Sequence, residues 1–168
     1  LCRDRGLKVG VRYTMTEDNA HDLPALLQLV REERIDRFYF SHLNYAGRGK
    51  KNLKSDARHQ TTRAAMRLLF EHCLEDHYAG RERDFTTGNQ DADGVYFLFW
   101  VRRHFPEMEE HIAAKLAQWG GNASGVNVAN IDNLGTVHPD TMWWHVPLGN
   151  VRERPFSAIW SDRSNPLL

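Results

Sequence analysis

The sequence predicts an α/β fold in which three strand–helix units of a parallel sheet precede a small β-hairpin module. Up to Trp119, segments with the period-two pattern of strands alternate with longer segments of helical period. Such alternation is typical of right-handed parallel units, as in a barrel or a doubly wound sheet. Three units are too few to close a barrel. From Gly120 the pattern changes, and we therefore expect two domains, residues 1–119 and 120–168.

The elements follow one another in a simple order. Strands are predicted over 8–15, 37–43 and 84–88. Helices are predicted over 22–30, 56–77, 95–105 and 108–119, the first with Pro24 near its start. A glycine-bearing basic loop follows the second strand, over 46–52. Two short strands over 126–132 and 136–143, around the turn Asn133-Leu134-Gly135, predict the hairpin.

The first strand has two chemically different faces. Val9, Val11, Tyr13 and Met15 alternate with polar residues and are expected to pack on helices. Arg12 then points to the opposite, inner face, where an arginine needs an anion, and a substrate carboxylate offers two hydrogen-bond acceptors. An ion pair with an interior Asp or Glu is an equally good interpretation.

Other polar candidates lie where strands end, since ligands gather at the carboxyl ends of parallel strands. Thr14, Ser41 and His42 occupy such ends. The basic residues Arg48, Lys50 and Lys51 follow a strand directly, and we interpret them as contacts to an anionic ligand, although a solvated loop explains them too. His138 flanks the second hairpin strand and is a further candidate, with a purely structural role as its alternative.

Composition excludes several classes of protein. The 168 residues carry 22 basic and 22 acidic side chains, a balance that offers no attraction for nucleic acid or a membrane surface. The longest apolar run, 95–101, is far too short to cross a bilayer. Two cysteines build neither a disulfide framework nor a cysteine-only metal site, and Cys73 is expected to be a buried small hydrophobe. We expect a cytoplasmic protein.

Several motifs, in consistent order over nearly the whole chain, resemble radical S-adenosylmethionine (SAM) enzymes of haem d1 biosynthesis. These motifs are Arg12-Tyr13-Thr14-Met15-Thr16, Ser41-His42-Leu43-Asn44-Tyr45-Ala46-Gly47-Arg48-Gly49, Thr87-Gly88-Asn89-Gln90-Asp91-Ala92-Asp93-Gly94, Trp119-Gly120-Gly121-Asn122-Ala123-Ser124-Gly125, Gly135-Thr136-Val137-His138-Pro139-Asp140 and Leu148-Gly149-Asn150-Val151-Arg152.

The resemblance implies the second half of a partial TIM-like barrel, followed by the start of a SPASM/twitch-like module for auxiliary clusters. It implies SAM and a 4Fe–4S cluster as cofactors, an electron donor, and a sirohaem-derived tetrapyrrole whose propionate side chains are attacked by a 5′-deoxyadenosyl radical. Arg12 would contact the SAM carboxylate, with Thr14 near the ribose and Ser41 and His42 at the same edge. Arg48, Lys50, Lys51 and His138 would bind the substrate.

The sequence departs from the family pattern at its metal ligands. The cysteine motif CxxxCxxC is absent, so the 4Fe–4S ligands would lie outside this chain. In related auxiliary modules a cysteine follows the proline at the position of Asp140, which makes Asp140 a candidate ligand, although thiolates suit such clusters better. We expect no metal ligand besides Asp140.

Both ends of the chain resemble interruptions, and we expect a fragment that is inactive by itself. Its open sheet edge would lower solubility. Two alternatives stay open: a related radical SAM enzyme acting on another haem precursor or a peptide, and a non-catalytic module in which Arg12 and the basic loop hold an anion.

Overall fold

The computed structural model describes residues 2–88 and 90–168, with only the backbone at 47 and 48. Two compact units divide at Lys115 and Leu116. The helices are α1 (Leu23–Glu32), α2 (His59–Tyr78), α3 (Ala92–His104), α4 (Glu109–Trp119) and α5 (Phe156–Trp160), and the strands are β1 (Gly10–Thr14), β2 (Arg37–Ser41), β3 (Asp84–Gly88), β4 (Asn130–Ile131), β5 (Thr136–His138) and β6 (Gly149–Asn150). No helix within the described residues is long and apolar enough to span a membrane.

The first unit is a three-stranded parallel sheet in the order β1-β2-β3, with helices packed on one face. The α/β architecture and the three parallel strands are therefore as predicted. Val11, Tyr13 and Met15 of the first strand segment contact the core, as their alternation indicated. Phe38 and Phe40 in the middle strand are fully buried beneath α1 and α2. The opposite face of this sheet carries the polar residues of the same strands.

The α1 helix shows how the apolar pattern determines packing. Leu23, Leu27 and Val30 recur at helical spacing and are buried, while Leu26 packs partly against the same core. Pro24 lies in the first turn, where its missing N–H costs no hydrogen bond. Asp22 is the N-cap residue, but its side chain makes no capping hydrogen bond.

Two expectations about this unit are wrong. The basic segment is a 3-10 helix, Gly47–Ser55, and not a loop. Its backbone passes so close to Asn44 that a Cβ at Gly49 would lie 1.7 Å from the Asn44 carbonyl oxygen, which explains the glycine. Cys73 is exposed and not buried. At that end of α2 the buried position is taken by Asp76, whose ion pairs replace apolar packing.

The second unit contains a small antiparallel sheet in the order β4-β5-β6, with Val137, Leu148 and Ile159 as its core. The predicted hairpin is present around Gly135. Its second strand ends at His138, however, and does not reach Trp143. Pro139 has no N–H for the ladder. The next residue, Asp140, accepts the N–H groups of Met142 and Trp143 at 2.6 and 2.8 Å and turns the chain away.

We expect Gly149→Ala to destabilise the second unit by about 1–3 kcal/mol. Gly149 has a φ of +157°, and an added Cβ would lie 3.1–3.2 Å from three side-chain atoms of the buried Ile159. The Leu148 N–H donates to the Val137 carbonyl oxygen at 2.8 Å, and its hydrogen-exchange rate measures the loss of stability. Gly10→Ala is the control, since its Cβ would meet no atom closer than 3.5 Å. Equal exchange rates in both variants would contradict the prediction.

Candidate functional site

The carboxyl ends of the three parallel strands are aligned in register. Thr14 is paired with Ser41, and Ser41 with Gly88, so these three residues form one row at the edge of the sheet. The hydroxyl oxygens of Thr14 and Ser41 are 2.8 Å apart and share a hydrogen bond. The structure therefore brings together two of the predicted cofactor contacts, at the edge where ligands of parallel sheets gather.

Arg12 lies on the open face of the sheet, two residues before this edge. Its side chain is exposed, and its guanidinium carbon lies 4.7 Å from the centre of the Tyr39 ring. This is a cation–π contact, and no described residue accepts a hydrogen bond from the guanidinium, so its N–H groups are available. Among the described residues no carboxylate forms an ion pair with Arg12, so the alternative of a structural ion pair finds no support there.

His42 occupies the other side of the same strand end. Its ring is buried, with Nε2 2.8 and 2.9 Å from the two carboxylate oxygens of Asp93 in α3. The ring also meets Phe40 edge to face at 5.1 Å between centres. Because alternate side chains point to opposite faces of a strand, His42 faces the helices, whereas Ser41 points the other way and is buried beside Thr14. The pair fastens the start of α3 to the end of β2.

Asn19 fixes the segment that follows β1. Its side-chain oxygen accepts the Thr16 N–H at 2.7 Å, and its amide nitrogen donates to the Thr14 carbonyl at 3.0 Å. The Tyr13 hydroxyl donates to the Asn19 carbonyl at 2.6 Å. These hydrogen bonds fix the position of Thr14 at the carboxyl end of β1. Sequence reasoning missed both Asn19 and Asp93, each of which comes five residues after the end of a strand.

The predicted basic contacts have different surroundings. Lys50 and Lys51 are exposed on the 3-10 helix, and the side chain of Arg48 lies outside the described part of the chain. This helix is attached to the segment after β1, because the Glu17 N–H donates to the Ser55 carbonyl at 2.8 Å. The Glu17 carboxylate in turn accepts the Arg58 N–H at 3.2 Å. The basic segment is thus held in place at its far end.

His138 is buried within the second unit. Its Nδ1 lies 3.1 Å from the Val146 carbonyl oxygen, and its Nε2 lies 3.3 Å from a carboxylate oxygen of Asp132. The Asp132 pKa is lowered chiefly by the Thr136 N–H and also by His138. The contacts of this ring fasten the loop after β5 to the hairpin turn. Binding a substrate through His138 would require the ring to exchange one of these contacts.

Asp140 fastens two loops of the second unit together. One carboxylate oxygen accepts the N–H groups of Met142 and Trp143, and the other accepts the Ser124 hydroxyl. The backbone N–H of Ser124 donates to the side-chain oxygen of Asn122 at 2.8 Å. Both oxygens of the candidate metal ligand therefore already have hydrogen-bonding partners. Within residues 2–88 and 90–168 no group of three potential ligands lies close enough to hold a metal ion.

We expect Asp140→Ala to destabilise this loop by about 1–3 kcal/mol at neutral pH, because two backbone donors lose their acceptor. Burial raises the pKa of Asp140, but hydrogen bonds from Ser124, Trp143 and Met142 outweigh burial and lower it. Since the pKa is lower in the folded state, this stabilisation is present above the unfolded pKa of about 4 and disappears as the pH falls through the folded value. Amide exchange of Met142 and Trp143 tests both points. Asp140→Asn, which keeps an acceptor, should retain more protection; equal losses would refute the assignment.

The comparisons with known proteins agree with the resemblance seen in the sequence. The chain is 51% identical over 169 residues to pre-heme d1 synthase of Dinoroseobacter shibae and 38% identical over 167 residues to Fe-coproporphyrin III synthase of Methanosarcina barkeri. Each alignment covers 99% of this chain and 42% of the relative. No family model matches, and neither does a solved structure. The chain spans about two fifths of the length of these curated relatives, and its predicted similarity to enzymes of haem d1 biosynthesis is confirmed.

Proposed function

We propose that this chain is part of a radical SAM enzyme that acts on a tetrapyrrole, and that the carboxyl edge of its parallel sheet binds SAM. The observation that carries the proposal is the similarity over 99% of the chain to two proteins named as synthases of iron tetrapyrroles. The polar edge and the arginine beside it supply groups of the kind that a charged nucleoside ligand requires. In the same proposal, the sheet is the second half of a partial barrel and residues 120–168 begin an auxiliary module.

Arg12 is the proposed partner of the SAM carboxylate. The guanidinium lies over the Tyr39 ring and has no acidic partner among the described residues, so its N–H groups can form two charge-assisted hydrogen bonds to one carboxylate. Thr14 provides an exposed hydroxyl at the same edge for the ribose, and the buried Ser41 supports it through their shared hydrogen bond. His42 is bound to Asp93, and we assign it to positioning the edge.

The cofactor, when bound, supplies the radical that attacks a propionate side chain of the substrate. The residues of this chain bind and orient the reactants, because the hard chemistry resides in the cofactor. Lys50 and Lys51, with Arg48 beside them in sequence, are proposed to pair with substrate propionates. His138 is proposed to contact the substrate only after exchanging one of its present contacts.

The residues of this chain do not fit a 4Fe–4S cluster. Such clusters are held by cysteine thiolates, and Cys2 and Cys73 are the chain's two cysteines, both exposed. We therefore derive no cluster ligand from this chain, and we expect residues 1–168 alone to acquire no stoichiometric cluster and to leave SAM intact.

The experiment compares the full natural protein with residues 1–168, both reconstituted anaerobically with iron and sulfide. We expect the full protein to bind a cluster and to release 5′-deoxyadenosine from SAM in the presence of a reductant and a tetrapyrrole. Iron, sulfide and nucleoside analysis measure this. A full protein that binds no SAM and shows no tetrapyrrole-dependent turnover would refute the proposal and favour the anion-binding alternative.

A second tetrapyrrole stays in the proposal because one of the two relatives is named for it. The 38% identical relative is named for Fe-coproporphyrin III, whereas the 51% identical relative is named for pre-haem d1. The higher identity favours the sirohaem-derived precursor of haem d1. The reconstituted protein is given the sirohaem-derived precursor of haem d1 and, separately, the precursor of Fe-coproporphyrin III. Mass spectrometry then identifies which of the two is converted.

A further inference from the structure

Tyr39 lies at the centre of the open face of the parallel sheet. In the register it is paired with Arg12 on one side and Thr86 on the other. The guanidinium carbon of Arg12 lies over its ring, 4.7 Å from the ring centre. Because Arg12 is the one cation that we assign to the proposed SAM site, the residue that supports it affects how that site is arranged.

Gly88 determines where the Tyr39 hydroxyl can lie. A Cβ added at Gly88 would be 2.0 Å from the hydroxyl oxygen and 2.8 Å from the ring carbon that carries it. Gly88 is not among the glycines with positive φ, so its backbone does not require glycine. The missing side chain therefore makes room for the hydroxyl. That hydroxyl lies beside Gly88, which belongs to the row of strand ends with Thr14 and Ser41.

The hydroxyl is available to a ligand. No described residue forms a hydrogen bond with it, and it is not among the buried unsatisfied polar atoms, so it is accessible to solvent or to a bound molecule. The hydroxyls of Thr14 and Ser41, in the same row as Gly88, are bonded to each other at 2.8 Å. Tyr39 thus adds a neutral O–H donor beside the charged N–H donors of Arg12.

We propose that Arg12 and Tyr39 bind a single carboxylate group together, and that Gly88 is required to leave the tyrosine hydroxyl in place. A cation and an adjacent O–H donor complement an anion with two acceptor oxygens. This inference rests on the proposed function. The proposed function assigns this carboxylate to the methionine part of SAM, and a propionate of the tetrapyrrole is the alternative source that the experiment distinguishes.

The test uses Tyr39→Phe in the full natural protein, with calorimetric titration of SAM and of the sirohaem-derived precursor of haem d1. The variant keeps the ring under Arg12 and removes only the hydroxyl. Losing one hydrogen bond to a charged group should weaken binding of one of the two ligands about 10- to 100-fold. Gly88→Ala should weaken the same ligand similarly, because the tyrosine must move. Gly10→Ala, whose Cβ meets no atom closer than 3.5 Å, is the matched control and should change affinity less than about twofold.

Ligands without the carboxylate identify its source. If the carboxylate comes from SAM, decarboxylated SAM should bind to the wild type and to Tyr39→Phe with equal affinity. If it comes from the tetrapyrrole, the methyl ester of the tetrapyrrole propionates should bind to both proteins with equal affinity. Combining Tyr39→Phe with Gly88→Ala should add little to either single loss, since both act on one contact. Unchanged affinity for both ligands in Tyr39→Phe would overturn this inference and leave the proposed function standing. A wild type that binds neither ligand would overturn both.

Discussion

Replacing Arg12 with alanine is expected to weaken SAM binding by the full natural protein about 30- to 4000-fold. This range corresponds to about 2–5 kcal/mol, the cost of truncating one partner of a hydrogen-bonded charge pair at a desolvated site. The guanidinium is exposed in the described chain, so the upper part of the range requires the bound ligand to exclude water from it. Calorimetric titration of SAM measures the loss.

Two further variants separate a ligand contact from a role in folding. Arg12→Lys should recover only part of the affinity, since lysine provides a point charge and not a planar pair of donors. Arg37→Ala removes an arginine from the same face of the neighbouring strand, where it is already paired with Asp84 at 2.9 Å. It should leave SAM affinity nearly unchanged. Unchanged affinity in a folded Arg12→Ala variant would remove Arg12 from the proposed site.

The sequence predicted those features of the fold that depend on short-range periodicity. Alternation in the first strand placed Val11 and Tyr13 on the helices and Arg12 on the open face, as found. Helical spacing placed Leu23, Leu27 and Val30 in the core. Such patterns are local, and each element displays its own buried face.

Features that depend on contacts between distant residues were missed. The partner of His42 is Asp93, 51 positions later, and nothing in the intervening sequence indicates the pairing. The closeness of Gly88 to Tyr39 depends on strand register, which periodicity does not specify. β6 has two residues and α5 five, too short to display a period. Cys73 is exposed although the carboxylate three residues further along α2 is buried, a difference that the apolar pattern of the helix does not indicate.

Asp76 is the centre of a buried ion network at the C-terminal end of α2. Its side chain is 2% exposed and contacts the guanidinium of Arg83, which is itself 5% exposed. Arg81 donates to it at 2.8 Å, and Arg31 lies 3.3 Å away. Arg83 also donates to the backbone carbonyls of Ile35 and Val30 at 2.7 and 3.2 Å. The network therefore joins α2 to the segments that lead into β2 and β3.

We expect Asp76→Ala to destabilise the first unit by about 3–5 kcal/mol, because it leaves the buried Arg83 without its counter-ion. Asp84→Ala is the matched control: its ion pair with Arg37 has both side chains 61% exposed, and such pairs contribute at most about 1 kcal/mol. Native-state hydrogen exchange of α2 and β3 amides measures both.

A double replacement distinguishes the loss of a pair from the exposure of a single charge. Asp76→Leu combined with Arg83→Met removes both buried charges and should be much less damaging than Asp76→Ala, since apolar residues of similar size can replace a buried pair without large cost. Because Arg83 also satisfies two carbonyl groups, part of the loss should persist. A double variant as unstable as Asp76→Ala would show that the carbonyl contacts, and not the charge pair, dominate this end of the sheet.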